Sequence, residues 1–184
     1  MGPDYHIITP RLVLKLIPQE DAKTLAQCVL QSPSLHRWID WCHDKFTIQE
    51  AERFILATRL NWVKSEAYGF GLYRRSDHAL IGMVAINEFY HTFNMASLGY
   101  WLHDSYHKQG YAKEALDALI EFCFAQLKIT RIEIVCDPDN IPSQQLAESC
   151  GAQFEVSAEN RYLFNGQPKQ GLVYSIIPTN NSSL

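Results

Sequence analysis

The sequence predicts an α/β (α+β) fold in which one central mixed sheet is flanked by helices. Three observations carry that expectation. Runs rich in β-branched and aromatic residues alternate with amphipathic stretches in the order strand, two helices, three strands, helix, strand, helix, two strands. The 184 residues, 47% of them hydrophobic, are enough to bury one core. Neither an internal repeat nor a low-complexity linker interrupts the chain. Residues 1–184 are therefore expected to form a single domain, with a core over about 9–177 and a polar tail over 178–184.

Residues 9–16 alternate apolar and polar like a half-buried strand, and Pro18 opens a helix. Ala22, Leu25, Ala26, Val29 and Leu30 recur at helical spacing and form its inner face. An aromatic connector over 35–43 then leads to Thr47-Ile48-Gln49-Glu50, a capping box. The helix it starts turns Ala51, Phe54, Ile55 and Trp62 inward. Residues 68–73 and 79–87 read as an antiparallel hairpin, followed by a strand over 97–102. A helix over roughly 110–127 carries Ala112, Leu116, Leu119 and Cys123 on one side. A strand at Ile132, a short helix ending near Cys150 and two strands around the Asn165-Gly166 turn complete the order.

Chemistry enters at the junction of the strand over 97–102 with the helix after Gly110. The first N–H groups of a helix have no intrahelical partner, and with the peptide dipoles they favour a phosphate or pyrophosphate. Lys108 and Lys113 add positive charge, and Gly110 allows close backbone approach. A second strand-to-helix junction follows about thirty residues on. There the run 131–136 meets Asn140, a good helix cap, then Pro142 and Ser143.

Together these residues resemble the acetyl-coenzyme A-binding heart of the GNAT superfamily of N-acetyltransferases. The family's pyrophosphate pattern is Gln/Arg-x-x-Gly-x-Gly/Ala. Gly110 and Ala112 match it, and His107 stands where Gln or Arg is usual and can still donate a hydrogen bond. Asn140 and Ser143 match the Asn-x-x-Ser/Ala motif of the next strand-helix unit. Thr9-x-Arg11-Leu12-x-Leu14 followed by Asp21-Ala22 resembles the start of the branch that includes the ribosomal-protein N-terminal (serine/alanine) acetyltransferases. The resemblance implies the GNAT fold, with a mostly antiparallel sheet, and acetyl-coenzyme A as co-substrate. It places the pyrophosphate at Gln109, Gly110, Tyr111, Ala112 and Lys113 with His107 as a further coenzyme contact of the loop, the thioester near Trp101 and Leu102, and the sulfur towards Ser143, with Asn140 bonding the backbone or the coenzyme beside the sheet.

Ala147 occupies the position where many members carry a catalytic tyrosine, and the resemblance to members without that tyrosine implies Ser143 as the candidate to donate a hydrogen bond or proton to the coenzyme sulfur. A first-turn serine can instead bond its own backbone, and Asn140 can act as a cap alone. Glu88 could accept the amine proton or be a solvated strand-end carboxylate, with His91 a weaker substitute. Trp38 and Trp41 in the connector, Asn87 at the strand end and Tyr162 on the late hairpin are candidate acceptor contacts; for the aromatics, plain packing is the competing role. The acceptor implied is a protein N-terminal α-amine, by resemblance of a ribosomal protein. Deprotonating an α-amine at pH 7.4 costs under about 1 kcal/mol, against about 4 kcal/mol for lysine. A small amine such as a polyamine or aminoglycoside is the alternative acceptor, and a coenzyme A-binding module without catalysis is the rival from another class.

The formal net charge is −4 with no basic stripe, so nucleic acid is not favoured as a partner. The five cysteines form no Cys-x-x-Cys pair and sit mostly in apolar segments, as expected of reduced thiols in a cytoplasmic protein. No run approaches about eighteen apolar residues and the first residues lack a leader pattern, so neither membrane insertion nor secretion is expected. His36, Cys42 and His43 lack further ligands at metal-binding spacing, and no metal is expected. A homodimer is compatible with the chain, which leaves the oligomeric state open.

Overall fold

A computed structural model of the chain describes residues 2–178; the Asn181-Ser182-Ser183 segment and nearly all of the polar tail lie outside them. Eight strands form one sheet. In chain order they are β1 (Ile7–Ile8), β2 (Leu12–Lys15), β3 (Tyr68–Arg74), β4 (Leu80–Tyr90), β5 (Met95–Leu102), β6 (Arg131–Cys136), β7 (Gln153–Phe164) and β8 (Gln167–Ile176). Neighbours run β1-β2-β3-β4-β5-β6-β8-β7, and every pairing is antiparallel except that of β5 with β6. The mixed, mostly antiparallel sheet is thus as expected.

Among the described residues five α-helices flank it: α1 (Ala22–Leu30), α2 (Pro33–His36), α3 (Ile48–Lys64), α4 (Tyr111–Ala125) and α5 (Ile141–Ser149). The capping box at α3 is formed. Thr47 Oγ1 accepts from Glu50 N–H at 3.2 Å, and the Glu50 carboxylate accepts from Thr47 N–H at 2.7 Å. Larger apolar residues of β2 to β6, Leu12, Leu14, Phe70 and Ile134 among them, pack with Leu116, Leu119 and Cys123 of α4. A second cluster joins Leu25 and Val29 of α1 and Ala51 and Ile55 of α3 to Tyr73, Leu80, Met83 and Trp101 of the sheet. Full burial of each such leucine or isoleucine contributes about 2 kcal/mol.

Some local expectations change. Pro18 precedes a 3-10 turn over Gln19–Asp21, and the α-helix begins only at Ala22. Leu30 is 42% exposed, and Cys28 is buried in its stead, its thiol donating to the Leu80 carbonyl at 3.3 Å. β1 and α2 were not expected, because two residues and a single turn are too short to display a period.

One feature of the sheet matters most for function. The parallel pair is joined only between Met95–Leu98 and Arg131–Ile134. Beyond it the two strands diverge. Gly99 to Leu102 pair with β4 alone, while Val135 and Cys136 pair with β8 alone. Two central strands therefore present facing edges of peptide groups with no strand partner.

Candidate active site

A cavity of about 540 Å³ occupies that gap, lined by residues 97–100 of β5, 134–137 around the end of β6, Asn140 just before α5 and Ser143 in its first turn. At the far end of β5 the chain passes through a 3-10 turn over Asp104–Tyr106. It then adopts positive φ at Lys108 (58°) and Gly110 (81°) before α4. The first bond into α4 runs from Glu114 N–H to the Gly110 carbonyl at 3.0 Å. The N–H groups of Tyr111, Ala112 and Lys113 are thereby left without an intrahelical acceptor, as an anion site requires.

The turn is braced from behind by the start of the chain. Arg11 Nη1 donates to the Gln109 carbonyl at 2.9 Å and its Nε to Glu114 at 2.6 Å, with the guanidinium 4.4 Å over the Tyr111 ring. Thr9 Oγ1 and the Arg11 N–H donate to the same carboxylate at 2.6 and 2.8 Å. Burial alone would raise the Glu114 carboxyl, but these hydrogen bonds and the Arg11 charge together hold it below its ordinary value. Arg11 was not expected in this role, since a contact across about a hundred residues leaves no local trace; only its place in the opening motif hinted at one.

Other residues of the turn are tied locally. His107 Nε2 lies 2.9 Å from the Leu102 carbonyl, so the ring closes onto the strand end. The Gln109 side chain donates to the Ser105 carbonyl at 2.9 Å, and Lys113 pairs with Asp117 at 2.6 Å. Trp101 and Leu102 are both buried, their side chains in different core clusters. What they offer the gap is backbone.

Ser143 sits in the first turn of α5, where the Asn140 side chain caps the helix by accepting the Ser143 N–H at 3.3 Å. Ser143 Oγ is 3.1 Å from the Tyr100 hydroxyl and 3.3 Å from Cys136 Sγ, and the Tyr100 hydroxyl also donates to the Ser143 carbonyl at 2.8 Å. Burial, followed by the nearby Cys136, raises the Tyr100 phenol well above its ordinary range, and burial likewise pushes up the Cys136 thiol against the hydrogen bonds of Ser143 and Tyr100. Both stay protonated. Ala147 is fully buried. Tyr100 escaped the sequence reading because an aromatic residue in a strand reads as core. The available signal was chemical: a phenol going into a core needs a hydrogen-bond partner.

The same cavity gathers most of the acceptor candidates. Asn87 is the extra residue of a β-bulge, since Ile86 faces Leu98 and Glu88 faces Ser97. Its amide lies over Gly99, where a Cβ would come within 2.4 Å of Asn87 Nδ2. Glu88 accepts from the Tyr90 hydroxyl, and Tyr162 donates its hydroxyl to Asp137. Trp38 and Leu163 complete this wall, and the β7–β8 turn is pinned to the connector by Asn165 N–H donating to Asp40 at 2.7 Å. Trp41 lies elsewhere. It stacks on Phe54 at 4.3 Å, meets Trp101 edge-on at 6.2 Å and lines a neighbouring cavity of about 320 Å³. His91 stacks on Phe89, His36 bonds the Val29 carbonyl and His43 bonds Glu50. Among the described residues no group of three His, Cys, Asp or Glu side chains is arranged to hold a metal ion.

The acetyltransferase (GNAT) domain family matches residues 11–153. The chain belongs to this family. It is a GNAT N-acetyltransferase of the ribosomal-protein acetyltransferase branch. A solved Vibrio cholerae structure, provisionally assigned as a ribosomal-protein-serine acetyltransferase, is 62% identical, with 97% of this chain and 100% of that chain covered at a TM-score of 0.91. The ribosomal-protein-serine acetyltransferase of Escherichia coli is 24% identical over 76% of this chain and 78% of its own length. A RimL ribosomal L7/L12 acetyltransferase solved with coenzyme A shares the fold at 23% identity, with 94% of this chain and 98% of that chain covered at a TM-score of 0.84.

Proposed function

We propose that this GNAT enzyme transfers the acetyl group of acetyl-coenzyme A to the N-terminal α-amine of a protein, with a ribosomal protein as the preferred acceptor, in the cytoplasm. The single observation that carries the reading is the position of Ser143. Its hydroxyl stands at the wall of the inter-strand gap, held by Tyr100 and Cys136, on the helix next to the open strand edges.

In this reading the pyrophosphate meets the N–H groups of Tyr111, Ala112 and Lys113. The extended arm of the coenzyme takes up the peptide groups of β5 beyond Leu98 that face the gap, as an added strand would, with the Leu102 carbonyl already held by His107. Attack by the neutral amine forms the nitrogen–carbon bond, and the carbon–sulfur bond breaks. The thiolate receives a hydrogen bond or proton from Ser143. Tyr100 donates to the Ser143 carbonyl and fixes that residue, and Ser143 Oγ can accept the Cys136 thiol while its own hydrogen turns to the sulfur. A Cys136 thiol raised by burial is a poor nucleophile, which supports direct transfer without an acetyl-enzyme. The amine proton leaves through Glu88 or water.

The carboxylates of the cavity weigh against a polycation. Glu88 is bonded to Tyr90 and Asp137 to Tyr162, while Arg161 brings positive charge to the same wall and pairs with Glu133 at 2.9 Å. Five free cysteines, four of them buried, suit a reducing cytoplasm. The test is incubation with acetyl-coenzyme A and a panel of N-terminal peptides and polyamines, with released thiol as readout. Turnover with peptides is expected. Turnover with polyamines alone would overturn the acceptor, and coenzyme binding without thiol release from any amine would overturn catalysis.

A further inference from the structure

The 3-10 turn over Asp104–Tyr106 is tied to the wall of the reaction cavity through one carboxylate. α2 is a single helical turn, too short to hold itself together. At its start Pro33 has no N–H to satisfy, the Leu35 N–H bonds the Ser32 carbonyl at 3.0 Å, and the Ser34 N–H donates to the Asp104 carboxylate at 3.2 Å. The Ser34 hydroxyl donates to the same carboxylate. In return the Asp104 N–H donates to Oγ of the fully buried Ser32 at 3.3 Å. Ser32, the residue before the helix, makes no side-chain cap bond of its own, so Asp104 caps α2 from across the fold.

What α2 carries is the cavity wall. The N–H groups of Trp38 and Ile39 both bond the Leu35 carbonyl, at 3.0 and 2.9 Å, and both residues line the reaction cavity. Asp40 follows and accepts the Asn165 N–H, so the β7–β8 turn rests on the same segment. On the other side of Asp104, the His107 ring is 3.8 Å from the carboxylate, beyond hydrogen-bond distance, and is held instead by the Leu102 carbonyl. The Asp104 side chain therefore supports α2 more than it supports its own turn. Resting on the reading that the turn before α4 holds the coenzyme and the cavity admits an N-terminal α-amine, we propose that Asp104 is a positioning residue for the acceptor. It touches neither substrate, and by capping α2 it fixes the wall formed by Trp38 and Ile39. Its loss moves that wall against the amine and leaves the pyrophosphate turn in place.

The test is steady-state kinetics on the full chain with one N-terminal peptide, varying each substrate in turn. Asp104→Ala is expected to raise peptide KM about tenfold and Ser34→Ala about fivefold, with acetyl-coenzyme A KM within about twofold of wild type. The double variant should be no worse than Asp104→Ala alone, since the two side chains act as one unit. Asp104→Asn keeps an acceptor oxygen for Ser34 and should restore most of the peptide KM. The folded fraction of a preparation scales kcat and moves neither KM. An unchanged peptide KM in Asp104→Ala, or effects of the two single variants that multiply in the double, would overturn the inference while leaving α-amine acetylation standing. Wild-type turnover of polyamines with no turnover of peptides would overturn the acceptor reading beneath it.

Discussion

The proposed coenzyme side and the proposed acceptor side of this site are built from different material. The turn before α4 and the open edges of β5 and β6 present mainly peptide groups, shaped by φ values and pairing register. The acceptor side is walled by side chains that the connector, α3, the β4 bulge and the β7–β8 hairpin bring together. A backbone site tolerates substitution: the turn keeps its positive φ at Gly110 with His107, not the Gln or Arg of the resembled pattern, at its start. A side-chain site changes with each residue, so acceptor choice is where members of one fold can part.

Ser143 lies on the boundary between the two sides, and replacing it is the sharpest way to break the comparison. Ser143→Ala is expected to lower kcat by about 100-fold with little change in acetyl-coenzyme A affinity, as for loss of a general acid. Steady-state kinetics with a peptide acceptor check it. A rise in coenzyme KM at unchanged kcat would instead assign Ser143 to the backbone-built side, as a helix-start residue.

Gly110→Ala probes that side directly. At φ 81° any L-residue is strained by about 1–2 kcal/mol, and the new Cβ would also crowd an Arg11 guanidinium nitrogen at 3.2 Å. Coenzyme KM is expected to rise roughly tenfold, with the ratio of kcat/KM between two peptides unchanged. A changed peptide ratio would show that the two sides are not separable. Arg11→Ala should raise coenzyme KM less, about fivefold or under. Its ion pair with Glu114 is half-exposed and worth little, so the effect comes from releasing the Gln109 carbonyl. Steady-state kinetics with varied acetyl-coenzyme A measure both.

The same division governs what could be read from the chain. The element order, the capping box at Thr47 and the glycine turn were legible because local spacing and conformational preference dictate them. Asn140 was legible as a cap for the same reason, and Ser143 through its spacing from Asn140. Trp41, expected as an acceptor contact, lines the cavity beside the inter-strand gap rather than the gap itself, because stacking on Phe54 and an edge contact with Trp101 fix its place. Tyr100 and Arg11 were missed since their partners, Ser143 and Glu114, are 43 and 103 residues away. Trp101 was expected beside the coenzyme; its side chain lines the smaller cavity next to the gap, and alternation along β5 assigns its face, but only the assembled sheet reveals what that face borders.

The smallest expected effect concerns acid. Glu114 in the folded protein titrates below its ordinary value near 4.5, so its contribution to stability is complete above that value and is lost as pH falls through the folded one. Glu114→Gln should therefore lower Tm by roughly 1–3 °C at pH 7, with the deficit shrinking below about pH 4.5 as the wild-type carboxylate also becomes neutral. Glu50 and Glu155, both held to about 2 by their hydrogen bonds, titrate in the same acid range. They do so in wild type and variant alike, and cancel in the difference. Because Glu114 braces the turn through Thr9 and Arg11, acid should weaken coenzyme binding in the wild type more than in the variant, while the peptide preference stays fixed. A Tm difference that does not shrink at all as pH is lowered below 4.5 would mean the side-chain shape of Glu114, not its charge, holds residues 9–11 against α4.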